Sequence, residues 1–177
     1  NYIVMQVDKS DGSIEWVNTF NGLASNYDVA TGLVVYGDYV YVTGASFKSA
    51  SMTNYNTRCY KKDGGTFQWE TEYDYSNKMD IPFDISVDSA HNFIVVTGAS
   101  QSSSVDWDYE TIRYDTFGIM EDEARVSGSG AGFDRALVVK NDADGYIYIS
   151  GSTVTNGDGD DMKTVKLITE SSYQYDI

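Results

Sequence analysis

The sequence predicts an all-β chain built of β-propeller blades, each a sheet of four antiparallel strands, and three observations carry that expectation. A unit of about 53 residues recurs over the whole 177-residue chain; aromatic and β-branched residues alternate in short runs; and no window carries the capped 3.6-residue apolar stripe of a helix. The string YVYVTGAS at 39–46 returns as FIVVTGAS at 93–100 and as YIYISGST at 146–153. A second string follows each, NYNTRCYKKDGG at 54–65, DYETIRYDTFG at 108–118 and DMKTVKL at 161–167, and the chain opens on a fourth copy, NYIVMQVDKSDG at 1–12. A third string precedes the glycine strand, YDVATGLVV at 27–35, MDIPFDISV at 79–87 and FDRALVVKN at 133–141. Four short strands per unit is the composition of a propeller blade.

In chain order, residues 1–20 read as the two outer strands of one blade, with a turn at Asp11-Gly12 and a tryptophan strand at Trp16. Blades then span 28–75, 80–126 and 134–177. Their turns fall at Gly37-Asp38, Asp63-Gly64-Gly65 and Asp144-Gly145, residues that tolerate positive φ. Trp69 repeats Trp16, while the third copy places Glu123 there. The innermost strands Val29–Tyr36, Ile85–Asp88 and Arg135–Val139 are the most continuously apolar, so they are expected to be the most buried. Three blades do not close a ring, since propellers have typically about four to eight.

On these motifs the chain resembles the bacterial SBBP-type β-propeller repeats over its whole length. Asp28, Ala30, Gly32 and Leu33 fit that family's first segment, as do Asp134, Ala136 and Asp142; Asp80, Ile85, Val87 and Asp88 fit it with Pro82 and Asp84 as departures. Asp108 to Asp115 fits the second segment closely. The resemblance implies an extracellular or cell-surface scaffold and says almost nothing about ligand or activity.

Composition narrows the partners. Twelve basic against 27 acidic residues leave a net charge of −15, which repels phosphate backbones and anionic lipid heads. Nucleic acid and membrane insertion are therefore not expected. The single cysteine, Cys59, forms no internal disulfide, and its position, shared with Gln6, Arg113 and Lys166, reads as solvent-facing. The single histidine, His91, sits in a turn without a positioned nucleophile, so no hydrolase chemistry is expected of it.

Three sets of residues stand out as candidates. Asp28, Asp80 and Asp134 occupy one position per blade, just before the innermost strand; they read as side-chain caps on nearby backbone N–H groups, although a ring of channel carboxylates has the same spacing. Asn156, Asp158 and Asp160 place oxygens at alternate positions of a Gly-rich run and form a partial calcium site that is not an EF-hand, because Leu167 stands where the bidentate Glu belongs. Against it stands a solvated acidic turn. No other cofactor is expected. Trp107, flanked by Asp106 and Asp108, lies in one of three variable connections, 46–53, 100–107 and 152–160, where scaffold-mounted binding would sit; it would stack on a glycan or anchor a surface protein, or fold back on its own blade.

The function expected is a non-catalytic extracellular scaffold, part of a larger surface protein or a filament, partnered by further repeats or by other copies of itself. The alternatives are an adhesin using the variable loops, and a propeller-fold glycosidase or lyase working with paired carboxylates. The two-strand opening predicts that this chain is not an independent soluble monomer.

Overall fold

The structure is a computed structural model that describes residues 1–24, 27–49, 51–155, 159–167 and 175–176. The described residues contain strands and turns and no helix. β1 (Tyr2–Val7) and β2 (Ile14–Phe20) form a two-stranded hairpin. Sheet I follows with β3 (Val29–Tyr36), β4 (Tyr39–Ser49), β5 (Met52–Lys61) and β6 (Phe67–Tyr73). Sheet II holds β7 (Asp80–Asp88), β8 (Phe93–Gln101), β9 (Trp107–Asp115) and β10 (Met120–Val126). Sheet III holds β11 (Arg135–Asn141), β12 (Ile147–Thr155), β13 (Gly159–Leu167) and β14 (Tyr175–Asp176). Within each sheet the strands pair antiparallel in chain order.

The repeated glycine is explained by the first pair of each sheet. Register slips between Ala30 and Gly32, between Pro82 and Asp84, and between Ala136 and Val138, one bulge per sheet at the same place. Opposite it, a Cβ on Gly44, Gly98 or Gly151 would collide with the backbone carbonyl of Val29, Ile81 or Arg135. Close backbone approach at a bulge is what a strand glycine permits.

Three apolar layers separate four sheets, and each layer joins one sheet to the next in sequence. Tyr2, Val4 and Phe20 of the hairpin meet Val40, Val42 and Tyr60 of sheet I. Tyr41, Tyr55, Cys59 and Tyr73 of sheet I meet Ile85, Ile94, Val96, Ile112 and Tyr114 of sheet II. Val95, Tyr109, Ala124 and Val126 of sheet II meet Val139, Ile147, Ile149, Val165 and Leu167 of sheet III. Every sheet therefore has a rear face, turned to the preceding sheet, and a forward face, turned to the following one. The first strands lie side by side, β3 against β7 and β7 against β11.

The burial expected of the innermost strands is corrected. β4, β5, β8 and β9 are the deeply buried strands, whereas Val29, Leu33 and Val35 of β3 and Leu137 and Val138 of β11 are exposed. Only β7 has a complete sheet on both sides. Cys59 is also corrected: it is buried on the forward face of sheet I, and burial pushes its thiol up to about 12. Its repeat partners mislead because long side chains lie flat at this position. Gln6 accepts from Trp16 Nε1 at 2.6 Å, Arg113 covers the Phe93 ring at 4.4 Å and Lys166 the Tyr146 ring at 3.4 Å.

Candidate functional site

The sheets are joined by bonds that recur with the repeat. Tyr2 donates its hydroxyl to Asn56 Oδ1 at 3.4 Å, Tyr55 donates to the Glu110 carbonyl at 3.2 Å, and Tyr109 donates to the Lys163 carbonyl at 3.3 Å. The separations are 54, 55 and 54 residues, so one position in each copy reaches its own counterpart region in the next. A second set lies at the opposite end of the strands. Trp16 Nε1 donates to the Lys62 carbonyl and Trp69 Nε1 to the Thr116 carbonyl, both at 3.0 Å. Each indole rests on a turn glycine of the following sheet, Gly65 or Gly118, both at positive φ. Asn18 Nδ2 reinforces the first contact on the Gly65 carbonyl at 2.7 Å, and Thr71 Oγ1 the second on Gly118 at 2.6 Å. Where Glu123 replaces the tryptophan, Tyr73 donates to its carboxylate at 3.0 Å.

The repeated aspartates bridge segments on either side of each first strand. Asp28 accepts from Gly22 N at 2.9 Å and from Phe47 N at 3.3 Å, and Asp134 accepts from Gly128 N and, at 2.6 Å, from Val154 N. Asp80 accepts from Tyr75 N at 2.8 Å. All three are buried. Each thus ties the segment leading into its sheet, and two of them also tie the far end of the second strand.

A buried ionic cluster lies between sheets I and II. Arg125 on β10 donates to Asp108 Oδ2 at 2.8 Å, to Glu110 Oε2 at 2.6 Å and to the Ser100 carbonyl at 2.8 Å, and its guanidinium covers the Tyr75 ring at 3.8 Å. One cation here serves two carboxylates, with Asp80 and Glu123 also nearby. Burial pushes Glu110 up to about 8, opposed by Arg125, and pushes Asp80 up to about 6. The other copies place Asn56 and Lys163 where Glu110 stands, so this cluster belongs to one interface alone.

The residues singled out for binding are engaged within the chain. Trp107 opens β9, half-buried, and meets the Phe133 ring edge-on at 4.9 Å. Its backbone bonds Gly132 and Asp134, tying the 127–134 connection alongside β9. Asp106 accepts from Ser102 Oγ at 3.0 Å and Gly132 N at 3.1 Å, and Asp108 is the buried partner of Arg125. Much of the connection 46–53 is paired strand rather than loop, since β4 runs to Ser49 and β5 starts at Met52. Of the calcium set, Asn156 and Asp158 lie outside the described residues; Asp160 is exposed, 4.0 Å from Arg135. His91 pairs through Nδ1 with the buried Asp88 at 2.8 Å and lies over Gly145 of the next sheet.

The two ends of the stack remain open. The rear of the hairpin presents Ile3, Met5, Val7 and Val17 to solvent, and the front of sheet III presents Tyr148 and Met162. A cavity of about 590 Å³ between Phe20, Leu23, Lys48, Arg58, Glu70 and Glu72 opens beside the hairpin, but its cations are already paired, Lys48 with Glu72 and Arg58 with Glu70.

No family model matches this chain, and no curated protein matches it.

Proposed function

We propose that the sheets are blades of a β-propeller of the SBBP type and that the chain is a non-catalytic scaffold module, working at the cell surface as part of a larger assembly of repeats or copies. The observation that carries this reading is the recurrence of one inter-sheet joint at three successive places: the tyrosine bond, with the apolar layer beneath it. The first strands lie side by side, as strands around a common axis do. The side chains richest in chemistry, Glu110, Asp108, Arg125 and Asp80, are buried in that joint, so they serve cohesion between blades. The open ends add the assembly element, because uncovered apolar faces and strand edges associate unless something covers them.

Electron microscopy of the purified chain tests the reading. Multi-chain particles with blades arranged around an axis are expected. A uniform field of single-chain particles would refute the assembly role.

A further inference from the structure

The hairpin is half a sheet, and the repeat says which half is absent. β1 matches β5, β9 and β13 in sequence, so its unpaired edge corresponds to the edge that β4, β8 and β12 occupy in the complete sheets. Beside that edge the rear of β3 forms an uncovered shelf. Leu33 is 52% exposed, whereas its counterparts Ile85 and Val139 are 2% and 0% exposed beneath the preceding sheet. Val7 is about half exposed, whereas its counterparts Tyr60, Tyr114 and Leu167 are buried. The opening is therefore the size and chemistry of one antiparallel strand pair, with a backbone edge on one side and an apolar floor.

One pair in the same chain is uncovered in the complementary way. β11–β12 carries Tyr148, 37% exposed, where Tyr41 and Val95 are fully buried by the following sheet. Ser150 and Thr164 pair their hydroxyls at 3.0 Å, as Thr43 and Thr57 do at 3.2 Å and Thr97 and Thr111 at 2.7 Å, but only the last two pairs are buried. Its present outer partner is weakly built. β13 begins with four exposed residues, Gly159 to Met162, places Met162 where the other copies have the joint-forming tyrosine, and pairs with β14 at two positions among the described residues. β1–β2 pairs along its whole length and carries Tyr2 at that position.

We propose that two copies of this chain exchange strands, β11–β12 of one completing the sheet begun by β1–β2 of the other, so that a dimer encloses six four-stranded sheets. This rests on the scaffold reading and names its partner. Exchange places Tyr148 and Ser150 over the Leu33 shelf and puts Met5 and Val7 where Val165 and Leu167 now lie. Every chain then contributes sheets I and II and half of each shared sheet, and six falls within the usual range of closed propellers. Such reciprocal exchange is an isologous, closing contact.

Position 4 matches positions 57, 111 and 164, so Val4 would face Ser150 across the exchanged pair. Two variants are compared after mild oxidation of the full chain: Val4→Cys with Ser150→Cys, and Ser150→Cys with Thr164→Cys. Exchange predicts that the first yields a covalent dimer that dissociates on reduction, and that mixing the two single variants, Val4→Cys and Ser150→Cys, yields the same heterodimer. Linkage confined to the second variant, or a Val4–Ser150 disulfide closed within a single chain, would overturn the exchange. Multi-chain particles without the Val4–Ser150 link would remove this inference and leave the scaffold reading standing; single chains throughout would remove both.

Discussion

Tyr109 lies fully buried with its hydroxyl on the carbonyl of Lys163, and its counterparts Tyr55 and Tyr2 make the same reach one and two sheets earlier. Loss of such a bond leaves the carbonyl unsatisfied in an apolar layer, which costs about 1–3 kcal/mol. Tyr109→Phe and Tyr55→Phe should each lower unfolding free energy by that order in urea titrations, and Tyr2→Phe by less, because its bond is the longest of the three. Glu110 sets a pH dependence. Its folded pKa stands near 8 against an ordinary 4.5, and that of Asp80 near 6 against 3.8, so the folded state binds more protons than the unfolded one. The stability they contribute is complete below their ordinary values and is lost as pH rises through about 8. Thermal unfolding should therefore shift downward between about pH 5 and pH 8, and Glu110→Gln should flatten most of that slope; parallel profiles for the two proteins would count against the buried cluster. The tyrosine positions were visible in the sequence only as members of a repeat. The cluster was not visible at all, because Asp80, Asp108, Glu110 and Arg125 are scattered over three strands and look like ordinary surface charges.

At the scale of the strand and its turn, the sequence pattern is most readable. Alternation in YVYVTG, IVVTG and YIYISG placed β4, β8 and β12, and the Asp-Gly and Gly-Asp pairs placed turns between them. The repeated glycine marked a site without its reason, which is the bulge beside Val29, Ile81 and Arg135. A methyl group there has nowhere to go, so Gly98→Ala should destabilise by about 1–3 kcal/mol or more, the range for overpacking. Gly44→Ala should behave alike by chemical denaturation; a neutral result at both would show that the bulge yields. Burial was misread on Val29–Tyr36 and at Cys59, for one reason. A strand's apolar content fixes which residues seek cover, but cover comes from the neighbouring sheet, and β3 has half a neighbour on its rear face. The position of Cys59 looked polar because Gln6, Arg113 and Lys166 lie flat across aromatic or indole groups rather than pointing to solvent.

At the scale of the molecule, the stack is quasi-one-dimensional: hairpin, sheet I, sheet II and sheet III are joined in sequence by like layers, so end sheets are less supported than the middle one. Sheet II, covered on both faces, should show the slowest amide exchange, at β8 and β9, and the hairpin and sheet III the fastest. With a net charge of −15 per chain, association between copies works against like-charge repulsion and should strengthen with added salt as that repulsion is screened. The 53-residue period made the stack legible. Its open ends were legible by counting strands, but not the shelf at Leu33 or the exposed Tyr148, which need the sheets in place. Sedimentation equilibrium of the folded chain at micromolar concentration, in moderate salt, tests the assembly role most directly. The account predicts a mass of two chains or more, reduced toward one by Leu33→Glu; a well-folded species of 19.6 kDa that stays monomeric as concentration and salt rise would contradict it.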